Sequence, residues 1–167
     1  MYGRGMTRRE REITDINQIK TILDTCKVLP LGLVDGDKPY VVPMNYGYIM
    51  ADGKLTVYLH ASTIGHKLDL MRANPNVFFE MLCNAVPFEG DVACRYGLSY
   101  ESLMARGTAV IVDDVEEKKK ALTMLMKTQT GKDFEFEDRL TIAVSVIKID
   151  VTEYTAKRRP MPEKKPE

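Results

Sequence analysis

The sequence predicts a mainly β fold with a few helices, a small six-stranded antiparallel barrel, and three observations carry that expectation. Segments of alternating apolar and polar residues, the period of a half-buried strand, recur along the chain. Short turns containing Asp-Gly separate the first three, and a turn that short joins strands only antiparallel. Strands joined mostly by hairpins, with helices packed around them, bury their apolar faces most simply by closing on themselves. No G-x-G-x-x-G, G-x-x-x-x-G-K-[ST] or G-x-S-x-G occurs, so dinucleotide, P-loop and nucleophile-elbow folds find no support.

Composition sets the frame. A chain of 167 residues suits one compact domain with a real core. Its 24 basic and 24 acidic residues cancel without a long single-sign block, which gives no footprint for nucleic acid. Apolar runs are strand-sized and none opens the chain, so neither a signal peptide nor a membrane span is expected. The three cysteines are an odd number without a Cys-x-x-Cys pair, which favours reduced thiols and a cytoplasmic location. His60, His66, Cys83 and Cys94 lack zinc-ligand spacing, and the scattered methionines are most simply filler of a core or an interface.

In chain order, residues 1–12 are rich in Arg and Gly and read as a flexible arm, followed by one domain over 13–156. Asp15 with Gln18 resembles a capping box, and Ile16, Ile19, Ile22 and Leu23 then form one apolar helix face ending near Thr25. Residues 28–34 are a strand whose Pro30 and Gly32 suggest an edge or bend, and Asp35-Gly36 turns it back. The partner strand spans 39–48. Pro43 cannot donate a ladder hydrogen bond, so this strand is irregular there, or its N–H side faces something other than a strand. A β-bulge or a flat heteroaromatic ligand would each satisfy the exposed backbone. Ala51-Asp52-Gly53 leads into a third strand over 55–60, completing a meander.

The next stretch organises the rest. Ala61, Ser62, Thr63 and Gly65 supply small side chains and hydroxyls, as helix N-termini do, and Leu68, Leu70 and Met71 give the following helix its apolar face. His66 and Lys67 fall in its first turn, where the helix dipole disfavours cations. Free backbone N–H groups, hydroxyls and two basic side chains together describe an anion site, although a solvated surface turn fits the local pattern too. A strand over 77–82, a loop over 84–96 and a long strand over 100–112 follow. Asp113 or Asp114 caps a helix that buries Ala121, Leu122, Leu125 and Met126 and stops at Gly131. Phe134 and Phe136 lie in an acidic connector, 141–154 is the last strand, and the Pro-, Lys- and Arg-rich end is loose from Ala156, giving a flexible tail over 157–167.

Taken in order and spacing, REITD, LGLVDGDKPYVVPMNYGY, DGKLTVYLHASTIGHKLDLMRANPNVFFEM, YESLMARGTAVIVDD and TAKRR resemble the FMN-binding split-barrel superfamily of pyridoxamine 5′-phosphate oxidase-like proteins. The closer likeness is to its nitroimidazole-resistance (Nim-type) branch, across roughly residues 9–159. The resemblance implies an antiparallel split β-barrel, FMN as cofactor, and a homodimer with FMN at its interface. It favours the anion-site reading, with His66 and Lys67 on the FMN phosphate and Ala61, Ser62 and Gly65 contributing backbone or hydroxyl contacts. Related oxidases carry Arg-Lys at that pair, so His66 loses the bidentate fork. The resemblance also implies that Val42, Pro43, Met44 and Asn45 line the flavin edge with backbone donors. His60 falls at an active-site histidine, and Tyr100 and Ser102 match the region contacting the partner subunit's flavin, with Lys157 or Arg158 near. No histidine follows His66, so the grip on pyridoxamine phosphate is missing and vitamin B6 oxidation is not expected. Reduction of a small organic electron acceptor such as a nitroaromatic fits better; a flavin-binding or sensing module without turnover, or a haem or deazaflavin barrel, are the alternatives.

Overall fold

The structure, a computed structural model, describes residues 6–163. Its elements are β1 (Glu12–Ile13), α1 (Ile16–Thr25), β2 (Val28–Asp35), β3 (Lys38–Ala51), β4 (Lys54–Ala61), α2 (His66–Ala73), β5 (Asn76–Phe88), β6 (Gly97–Val112), α3 (Val115–Thr130), α4 (Asp138–Ile142) and β7 (Ser145–Arg159). The sheet runs β1-β7-β4-β3-β2-β5-β6, and a further β6–β7 pairing joins its ends. The six predicted strands thus curl into a ring, every pairing antiparallel, with short β1 added outside on β7. This is the predicted antiparallel split barrel.

Alternation sends one side chain in two to the interior. Leu29, Leu31, Leu55, Leu59, Phe79, Met81, Leu103 and Ile147 are fully buried there, each worth about 1.5–3 kcal/mol of burial. Ile19, Ile22 and Leu23 of α1 and Leu68, Leu70 and Met71 of α2 join the same core. The helix ends follow the sequence. Asp15 accepts from Gln18 N at 2.9 Å, Asp114 accepts from Glu117 N at 2.8 Å, and Gly131 closes α3 with φ +73°. Helix α3 lies against the outside of the barrel, its Ala121 and Leu122 on Tyr58, Val112 and Val146; Met126, expected in that contact, is only half-buried. A Cβ on Gly47 would stand 2.3 Å from Leu125 N, so α3 rests directly on the β3 backbone. Lys27 Nζ donates to Asp24 O and Thr128 O, both at 2.7 Å, and so ties the C-terminal carbonyls of α1 and α3 together.

Several boundaries differ from the sequence reading, each for a physical reason. The loop expected over 84–96 is shorter, because β5 continues to Phe88 and β6 begins at Gly97. A bulge between Cys83 and Val86, with Asn84 at φ +53°, breaks the alternation without ending the ladder. The last strand begins at Ser145 rather than residue 141: Asp138–Ile142 is helical, and the Thr141 hydroxyl donates to Asp138 O at 2.7 Å. That strand also runs on to Arg159, so residues 156–159, expected loose, are strand. There β6 supplies the partner, from Leu103↔Ala156 to Tyr100↔Arg159. Of the expected arm, residues 1–5 lie outside the described residues, Arg9–Arg11 form a 3₁₀ turn, and Glu12 pairs with Lys157. The first hairpin turns at Gly36-Asp37, one residue later than expected, since Asp35 pairs with Lys38.

Candidate functional site

The site begins where two strands part. β3 is long enough to pair twice: its first half with β2, from Lys38 to Asn45, and its second with β4, from Tyr46 to Ala51. The β3–β4 ladder stops at Tyr46↔Leu59. Beyond it no strand lies on that side of residues 41–44 among the described residues. Asn45 and His60 flank the mouth of this seam, and the 62–65 loop and the start of α2 follow directly from β4.

Proline decides how the free edge is polarised. Pro43 pairs with Pro30 in unbroken register. Neither has an N–H, so the pair exchanges no hydrogen bonds with each other, and the flanking residues Val42 and Met44 carry the β2 ladder. The strand is regular at Pro43, and its N side faces the open seam, the second of the two possibilities the sequence allowed. The same alternation narrows the expected donor role of 42–45: the Val42 and Met44 N–H groups point to β2 and Pro43 has none, so of these four only the Asn45 N–H faces the seam side, beside the carbonyl of Pro43 and the N–H and carbonyl of Val41.

Opposite this edge stands the start of α2. Gly65 is its N-cap at φ +150°, a conformation favouring glycine, and no side chain caps the helix. Gly65 O accepts from Leu68 N at 2.9 Å, while the amides of His66 and Lys67 keep the free N–H groups of a helix start. Half-buried Lys67 reaches back to β3, its Nζ 3.6 Å from Met44 Sδ, and no carboxylate among the described residues pairs with it. The His66 ring turns the other way. Its Nε2 lies 2.9 Å from Asp35 Oδ2, and its edge meets the Tyr40 ring at 5.4 Å between centroids. Among the described residues, the seam therefore holds one ammonium without a counter-charge, beside two free amides and a carbonyl-rich strand edge.

The other sequence-derived residues sort cleanly. Val42 is half-buried, Met44 and Ala61 are buried, and Pro43, Asn45, Ser62 and Gly65 are exposed, all around the seam. The Asn45 side chain is tied down, donating to Lys27 O at 3.1 Å and to Gln129 Oε1 at 3.4 Å. His60 is exposed on the outer face of β4 beside Val146 of β7, with no hydrogen bond to a described residue. Tyr100 and Ser102 are elsewhere: they lie on the outer face of β6, paired with Arg159 and Lys157, and β2 and β5 separate them from β3. Arg158 points into the barrel end instead and pairs with Glu101. Asp35, Tyr40 and Gln129 join the site's surroundings unannounced by the sequence, since Asp35 and His66 are 31 residues apart.

The sequence profile described as pyridoxamine 5′-phosphate oxidase matches residues 15–158. The chain belongs to that family. A candidate 5-nitroimidazole antibiotic resistance protein from Bacteroides thetaiotaomicron is 32% identical, with 88% of this chain and 86% of that one aligned at a TM-score of 0.75. This supports the nitroimidazole-resistance branch within the family. The flavocytochrome Anf3 from Azotobacter vinelandii (18% identity, 97% and 76% coverage, TM-score 0.76) shares the fold. So does an FAD- and haem-binding protein from Mycobacterium smegmatis (14%, 93% and 77%, 0.74). No curated protein matches the chain in sequence. The family match takes in the whole seam, from the α1 cap at Asp15 to Arg158 in β7. No helix among the described residues is long and apolar enough to cross a membrane.

Proposed function

We propose that this protein is an FMN-dependent oxidoreductase that binds its cofactor in the β3–β4 seam and passes electrons to a small organic acceptor, such as a nitroaromatic. The observation that carries the reading is Lys67: a half-buried lysine whose only hydrogen-bond partner among the described residues is a thioether, at a helix N-terminus with free amides. Such a group is poised for an anion. The carbonyl-rich edge of Val41 and Pro43 suits the donor and acceptor rim of a flat heteroaromatic ring, and FMN joins those two features in one molecule.

FMN, when bound, supplies the redox chemistry. The chain's own residues bind and orient. Lys67 Nζ and the amides of His66 and Lys67 hold the phosphate, with Ser62 and Gly65 shaping the loop around it. The His66 imidazole, fixed by Asp35, braces the loop rather than gripping phosphate. Val42 to Asn45 and Ala61 form the wall of the seam, and exposed His60 at its mouth holds a proton for the acceptor. Tyr100 and Ser102 lie too far round the barrel to complete this seam within one chain, which supports a homodimer in which they face the partner subunit's flavin.

The absorption spectrum of the purified full-length protein, followed by titration with FMN, tests the reading. A flavin spectrum with saturable binding supports it. A Soret band from bound haem, or no flavin binding at all, overturns it. Yellow protein that reduces no nitroaromatic would keep the cofactor but replace the oxidoreductase with a binding module.

A further inference from the structure

Asn45 and Tyr46 stand where β3 changes partner, from β2 to β4, and both are held from outside the sheet. β2 begins at Val28, opposite Asn45, so no ladder residue of β2 meets the Tyr46 carbonyl. Half-buried Gln129, in the last turn of α3, donates to that carbonyl from Nε2 at 2.8 Å, and its Oε1 accepts from Asn45 Nδ2 at 3.4 Å. A carbonyl only accepts, so the bond to Tyr46 fixes which way the Gln129 amide faces and leaves its oxygen for Asn45. Asn45 Nδ2 donates to Lys27 O as well, at 3.1 Å. The buried Tyr46 hydroxyl reaches Leu23 O at 2.7 Å and Cys26 O at 3.0 Å. The crossover of β3 is thus bound to the C-terminal ends of α1 and α3.

We infer that Gln129 is a positioning residue for the flavin, holding Asn45 so that its N–H points into the seam at the rim of the ring. The role rests on flavin occupying the seam, as proposed above. By the alternation that carries Val42 and Met44 to β2, Asn45 turns its N–H the other way, where the β3–β4 ladder has already stopped at Tyr46↔Leu59. Pro39, Val41, Pro43 and Asn45 all face that side, and the two prolines have no N–H. Val41 and Asn45 are therefore the backbone donors that this stretch of β3 offers the seam. With donors so scarce, the direction of each decides which ring edge the seam can take.

The rim of a flavin gains negative charge on reduction, and a donor fixed in advance stabilises that charge without reorganising. A donor free to swing has to be ordered first, and that cost is subtracted from the bond it makes. Gln129 fixes Asn45 from both sides, its oxygen taking the Asn45 side chain and its amide nitrogen the carbonyl of the next residue. One helical turn earlier the Leu125 backbone rests directly on Gly47, so the anchor belongs to a helix already seated on β3. An aliphatic residue of the same length would pack as well and would leave both groups of the crossover unanchored. Loosening Asn45 should therefore weaken the reduced flavin more than the oxidised one, which a purely structural role for Gln129 would not do.

The test uses the full-length chain with Gln129→Met, which keeps the side-chain length and removes both bonds. FMN should still bind, and its reduced form should lose about tenfold more affinity than the oxidised one, read as a midpoint potential lower by about 30 mV. Lys127→Ala loosens the same helix end by removing the ion pair with Asp133, and should leave the potential where it was. Without flavin, NMR relaxation should show added motion at the Asn45 and Tyr46 amides of Gln129→Met but not at Val57 within β4. Should Gln129→Met not fold, Asn45→Ala decides in its place, since it cuts the side-chain tether at an exposed position and keeps the amide. Bound FMN at an unmoved potential, an equal fall with Lys127→Ala, or no added motion at the crossover would overturn this role alone. Protein that takes up no flavin would overturn the cofactor reading and this role with it.

Discussion

Replacing Lys67 with Ala isolates the charge on which the cofactor proposal turns. The residue is half-buried and its ammonium has no carboxylate partner among the described residues, so its attraction for a phosphate is not already satisfied by one of them. Two unit charges about 4 Å apart attract by about 4 kcal/mol at a surface-like dielectric, and hydration of both groups returns part of that. A charge-assisted hydrogen bond of about 1.5–3 kcal/mol remains, which is about a tenfold to 150-fold loss of FMN affinity. Folding should barely change, by about 0.5 kcal/mol or less, because the variant loses only a thioether contact and a cation from the first turn of α2. Fluorescence titration with FMN and, in parallel, riboflavin is the assay, since riboflavin has the ring without the phosphate. FMN should weaken while riboflavin holds. Equal loss for both ligands would refute the reasoning and make Lys67 a structural residue.

Three further substitutions and one measurement of assembly probe other parts of the molecule. Asp35→Asn removes the carboxylate from an exposed contact with the His66 ring, and chemical denaturation should register a change of about 1 kcal/mol or less, with FMN affinity by titration unchanged or slightly higher for want of a carboxylate near the phosphate. Gly47→Ala forces α3 off β3, since the new methyl would stand 2.3 Å from Leu125 N; a loss of about 1–3 kcal/mol in urea unfolding is expected, and an unchanged midpoint would mean that α3 shifts freely. His60→Ala should leave FMN bound but slow acceptor reduction by pre-reduced protein about a hundredfold in stopped flow, and an unaltered rate would return His60 to the surface. Sedimentation should show a dimer that FMN protects against dilution; a monomer binding FMN one-to-one at full affinity would remove the shared-site proposal.

How much of this was legible depended on whether a feature is local. Caps are local, and Asp15, Asp114 and Gly131 stand at the helix ends where their chemistry requires. Alternation within a strand is local too, which is why all six barrel strands were readable. The bulge at Asn84 imitates a loop, because an unpaired residue breaks the alternation that marks a strand while the ladder resumes at Val86↔Ser99. The mostly polar residues 155–159 become strand because β6, and at 156–157 also β1, lies alongside, information absent from those residues themselves. The anion-site loop was visible as a helix start with misplaced cations. Which cation stays free was not, because that depends on Asp35 reaching His66 across 31 residues.

Pro43 shows how a local oddity becomes meaningful only in its pairing. Alone, a strand proline signals an edge, a bulge or a mistaken assignment. Facing Pro30, it is compatible with one phase of the ladder, the phase that turns its missing N–H toward the seam. The same phase sends Pro39 to that side, so from 39 to 43 only Val41 offers a donor there. An edge with so few donors resists a further strand, which needs alternating donors and acceptors to dock. The prolines thus keep the seam open against β4 and against neighbouring chains, while leaving carbonyls and one amide for a ligand whose rim carries both donors and acceptors. The site is built as much by what cannot pair with β3 as by what lines it.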